Sequence, residues 1–208
     1  MNNLLYANQQ AEKIGPQVEE KVRKETGSTS PVAYTIESGE AGSTTVGLVL
    51  GDVARGLFGG KTNTLFTLVF NIATPRAAQL RATVIRQGVG AYVGSLLYST
   101  TLSKTVKSEV SLEPPKTFGS PKFIGDADAI TKLNAKDDIA KRVGKFARTK
   151  TEMGSITVEM ARLFKIVPQD SGSLLIVNTL PRMTSMGMDA AIDAKEFFEI
   201  AAMIEAAL

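Results

Sequence analysis

Residues 55–62 read Arg-Gly-Leu-Phe-Gly-Gly-Lys-Thr, the stretch nearest to a recognised chemistry. A phosphate loop uses glycines to converge backbone N–H groups on phosphate, a lysine for charge, and a hydroxyl for the metal. Gly59, Gly60, Lys61 and Thr62 match the end of that pattern, and an apolar run at 46–50 precedes it. The pattern also needs a glycine where Arg55 stands, and a helix after Thr62, where the sequence reads as strand. The apolar run 174–177 is followed by Asn178, not by a magnesium-holding aspartate. A glycine-rich turn is the favoured reading of this near-miss.

Asp126-Ala-Asp128 places two carboxylates two residues apart, a spacing that could share a divalent cation. With no third ligand close by, capping of the following helix is favoured. Met183, Met186 and Met188 offer thioethers that suit copper(I). Without cysteine or histidine beside them, a flexible loop packing methionines on a core or a partner is favoured.

The chain of 208 residues contains no histidine and no cysteine. That excludes disulfides, thiolate nucleophiles, Ser-His-Asp triads, and zinc, copper or haem sites built on those ligands. Any enzyme here would work through carboxylates, lysine, tyrosine or arginine. No catalytic residue, metal or cofactor is assigned, and the reading leans away from an enzyme.

Charge is the remaining signal. The net charge is +3, but residues 61–122 hold 8 basic and 2 acidic side chains. Arg76, Arg81, Arg86, Lys104 and Lys107 lie in that stretch, with Lys116 and Lys122 beyond them. Farther on, Lys141, Lys145 and Arg148 recur at helical spacing. Gathered on one surface, these groups would bind a phosphate-bearing partner, nucleic acid or acidic lipid. The competing reading is a solvated face whose lysines also blunt strand edges. Aromatic residues do not interleave with the cations as in single-strand binders.

The elements that must position these groups follow from periodicity. Leu4, Ala7, Ala11 and Ile14 predict a helix over 3–14, and Pro16 is expected to start a second one ending at Gly27. Strands are expected at 32–36, 64–72, 80–87, 92–101 and 105–112, with 46–60 ambiguous. After a loop at 116–122, a short helix to Leu133 and a longer one over 136–149 follow. Strands at 155–167 and 173–180 are joined by a turn at 168–172. Asp193 and Glu196 resemble a capping box for the last helix. Clustered strands predict an α+β fold with largely antiparallel sheet and helices at both ends of the chain. The segments are 1–30 (helical), 31–115 (strand-rich) and 116–208 (helix-strand-strand-helix), which can pack as one domain.

The start lacks a secretory pattern, and the apolar segment 44–73 is broken by Asp52, Arg55 and Lys61. A cytoplasmic protein without a membrane span is expected. The function expected is a non-catalytic binding or assembly protein that self-associates or holds a protein partner. The alternative is a basic-surface binder of nucleic acid or acidic lipid.

Overall fold

The computed structural model describes residues 3–38, 63–87, 90–113, 120–147, 164–179, 182–184, 187–189 and 192–208. The fold is α+β, with an antiparallel sheet whose strands lie in the order β1 (Tyr34–Ser38), β2 (Asn63–Ile72), β3 (Ala78–Gln87), β4 (Gly90–Leu102), β8 (Gly172–Thr179), β7 (Phe164–Gln169), β5 (Val110–Glu113), β6 (Lys122–Gly125). The chain divides into two compact units, Met1–Pro75 with Gln79–Leu96 and Leu180–Ala194, and Arg76–Ala78 with Leu97–Thr179 and Lys195–Leu208.

The first unit holds α1 (Asn3–Thr26), β1 (Tyr34–Ser38), β2 (Asn63–Ile72), nearly all of β3 (Ala78–Gln87) and the start of β4 (Gly90–Leu102). Ala11, Gly15, Val18 and Val22 form its buried helical stripe. The split expected at Pro16 does not occur, and α1 runs through the proline. A proline clashes with the Cβ of the residue before it, and Gly15 has none. That bare position is filled from outside the helix: a Cβ on Gly15 would lie 2.3 Å from the Tyr34 hydroxyl. The Tyr34 ring then rests on Phe70 of β2, centroids 5.1 Å apart. Glu19 accepts the Val32 N–H at 2.8 Å and fixes where β1 begins. Phe66, Leu68 and Phe70 of β2, with Leu80, Ala82 and Val84 of β3, are buried at alternate positions.

The second unit completes β4 and adds β5 (Val110–Glu113), β6 (Lys122–Gly125), α2 (Ala127–Asn134), α3 (Asp137–Phe146), β7 (Phe164–Gln169), β8 (Gly172–Thr179) and α4 (Ala194–Ala207). Its core is aromatic: Tyr98 lies 5.5 Å from Phe146 and 5.2 Å from Phe197, and Phe123 lies 5.4 Å from Phe164. Ile139, Val143 and Phe146 are buried along α3, as their spacing predicts. The apolar run 174–177 lies in β8, between β4 and β7, so both its edges are paired.

Three further expectations change. The strand expected over 105–112 is ordered as strand only from Val110. Before it, the Val106 N–H goes to Ser173 Oγ, and the Lys107 and Ser108 N–H groups go to Asp126. Side chains take the donors a ladder would have used. The loop expected over 116–122 ends in β6, four residues too short to show a period. The methionine stretch contains a small hairpin, β9 (Arg182–Thr184) with β10 (Gly187–Asp189), where a flexible loop was expected. The ambiguous segment 46–60 and residues 155–163 lie outside the described residues. Among the described residues no helix is long and apolar enough to cross a membrane.

Asp170 and Ser171 turn β7 into β8, and Gly172 opens β8 at φ +98°. A Cβ there would sit 2.1 Å from the Leu102 carbonyl oxygen, whereas Gly27 at φ +67° has open space around it. Gly172→Ala should cost at least ~2 kcal/mol and Gly27→Ala only ~1 kcal/mol, read from urea midpoints. Equal costs would show that backbone strain alone matters at Gly172.

Candidate functional site

The groups with chemical potential are the cations of residues 76–145 and the Asp126–Asp128 pair. Arg76 follows the β2–β3 turn and reaches α4. One guanidinium nitrogen donates to Glu205 at 2.8 Å and the other to the Thr101 carbonyl at 2.6 Å. The second Glu205 oxygen accepts the Ser103 N–H. With both oxygens bonded, Glu205 is held at a pKa of about 2, the Arg76 hydrogen bond being the main cause. Arg81 projects from β3 and donates through two nitrogens to both oxygens of Glu37 on β1. Arg86 stacks over the Tyr6 ring of α1, 4.9 Å from its centroid.

Asp126 is the N-cap of α2. Its Oδ1 accepts the Ala129 N–H at 2.9 Å, and its Oδ2 accepts those of Lys107 at 2.6 Å and Ser108 at 3.2 Å. Backbone donors, led by Ala129, hold this carboxyl below the usual carboxylate range. Asp128, two residues on, is exposed and pairs with Lys107, whose pKa is raised chiefly by that hydrogen bond. Asp126 thus holds backbone amides, that of Lys107 among them, while Asp128 holds the Lys107 side chain. Among the described residues no group of three or more acids is placed to hold a metal ion.

On α3, Lys141 and Lys145 are exposed one turn apart. Between them Arg142, a residue the sequence did not single out, turns toward α4. It donates to Glu196 through Nε at 2.6 Å and Nη2 at 2.7 Å, and also to Glu199, while Nη1 lies 3.2 Å from the Met203 sulfur. Arg142 is the main cause of the lowered pKa of Glu196. Both oxygens of Glu196, assigned by sequence to a capping box, are on this guanidinium. Glu196 and Glu199, three apart on α4, are a visible receptor for one cation. Nothing in the sequence says that the cation lies 54 residues upstream of Glu196.

The structure groups the cations by unit. Arg81 and Arg86 belong to the first; Arg76, Lys104, Lys107, Lys141 and Lys145 belong to the second. Lys104 is exposed, and its carbonyl accepts from Ser173 Oγ at 2.8 Å. Lys116 and Arg148 lie outside the described residues, as do Gly59, Gly60, Lys61 and Thr62. The side chains of Met183, Met186 and Met188 lie outside them too.

The Glu205 carboxylate stabilises the fold when ionised. This contribution is complete above its ordinary value of 4.5 and disappears as pH falls toward about 2. Glu205→Gln should cost ~1–2 kcal/mol at neutral pH, and the gap from wild type should close as pH approaches 2. A gap independent of pH in urea titrations would refute the assignment. Asp126→Ala should speed hydrogen exchange at the Lys107, Ser108 and Ala129 amides above the rest of the unit. Unchanged protection at those amides would contradict the capping role.

No family model matches the sequence, and neither a curated protein nor a solved structure matches it.

Proposed function

We propose that the chain is a non-catalytic structural or assembly protein that works through contacts with protein, including copies of itself. One observation carries this reading: among the described residues, Arg76, Arg81, Arg142 and Asp126 are engaged in holding the fold. Arg76 holds Glu205, Arg81 holds Glu37, Arg142 holds Glu196 and Glu199, and Asp126 collects backbone amides. A guanidinium committed to two carboxylate oxygens must break those bonds before it can take a phosphate.

Binding of nucleic acid or acidic lipid is the second reading. It is favoured by the exposure of Lys104, Lys141 and Lys145. Such binding would weaken steeply with salt.

The tests run side by side. Light scattering and pull-down with the tagged chain should give a mass above the monomer or a stoichiometric protein partner. Fluorescence anisotropy with DNA and RNA at low ionic strength, and flotation with acidic vesicles, should give nothing. A monodisperse monomer with no partner overturns the assembly reading. Salt-sensitive capture of nucleic acid or vesicles puts the second reading in its place.

A further inference from the structure

The two terminal strands of the sheet, β1 and β6, are finished in different ways. A strand edge leaves N–H and C=O groups ready to pair with another chain, and proteins usually blunt it. β6 is blunted. The Asn134 side chain accepts the Phe123 N–H at 2.9 Å and donates to the Phe123 carbonyl at 2.8 Å, which occupies the place of a further strand. Lys122 adds charge, and Pro121 precedes the strand.

β1 has none of these devices among the described residues. It reads Tyr-Thr-Ile-Glu-Ser, free of lysine and proline, and pairs with β2 on one side. Ile36, at its middle, is 53% exposed. Glu37 is its one charge, and Arg81 of the same chain already balances it.

We propose that β1 pairs antiparallel with β1 of a second copy of this chain, about a two-fold axis at Ile36. That register sets Ile36 against Ile36, Thr35 against Glu37 and Tyr34 against Ser38. Like charges do not meet, and two exposed isoleucines cover each other. The inference rests on the assembly reading and names its partner. Five residues of strand bury less than the ~1,200 Å² of a standard interface, so the pairing is weak and calls for protein at ~100 µM.

The chain has no cysteine, so Ile36→Cys introduces a single thiol. Residues directly opposed in an antiparallel pair have Cα atoms ~4.5–5.5 Å apart, inside the disulfide range of ~4.4–6.8 Å. Leu5→Cys, on α1, is the control, since Leu5 is 54% exposed. Under mild oxidation Ile36→Cys should form disulfide dimers at least about fivefold faster than Leu5→Cys. Ile36→Lys should return the wild-type scattering mass to that of a monomer. Cross-linking no faster than the control overturns the proposal. So does an Ile36→Lys protein that keeps the wild-type oligomer mass; self-association then survives by another surface. A wild-type monomer at that concentration removes the β1 edge and self-association together, and leaves the assembly reading to a partner captured by pull-down.

Discussion

Between Leu102 and Val110 the chain passes from β4 to β5 outside any ladder, and its amides still need acceptors. Side-chain oxygens supply them: Glu205 for Ser103, Ser173 for Val106, Asp126 for Lys107 and Ser108. Each acceptor sits on a different element, α4, β8 and the start of α2. Satisfying one irregular stretch therefore ties three elements to it. Asp126 is the most connected of them, because its other oxygen starts α2. The negative charge suits the positive end of that helix and strengthens each bond it accepts.

A second layer of ties reaches α4 from elsewhere. Arg142 of α3 holds its first turns, and Arg76 holds its last through Glu205. Phe197, Ile200, Ala201 and Ile204 bury the opposite side of the helix. The apolar stripe supplies most of the stabilisation, while exposed ion pairs add little. The guanidinium contacts fix the helix along and about its axis, which a slippery apolar stripe does not.

What could be read in the sequence was local. The stripe Ile139–Val143–Phe146, the alternation of β3 and the two-sided run of β8 each follow from spacing within one element. So did the cap at Asp126, because a cap and its helix are neighbours in the chain. Pro16 misled because the residue before it is Gly15, whose missing Cβ removes one of the clashes that end a helix ahead of a proline. The strand expected at 105–109 was lost to Asp126 and Ser173, acceptors 18 and 67 residues away from their donors. Charge counting found the basic excess of the middle segment but not its counterions. Glu37 and Glu205 lie 44 and 129 residues from their arginines. The site proposed from composition thus depended on long-range pairing, the one thing composition does not contain.

Asn134 has a chemical consequence of its own. Its carboxamide faces a backbone N–H with oxygen and a backbone carbonyl with nitrogen, so the two ends of the group are not interchangeable. An aspartate here would keep the shape but set a charged oxygen against the Phe123 carbonyl, and the outer edge of β6 would lose the group that covers it.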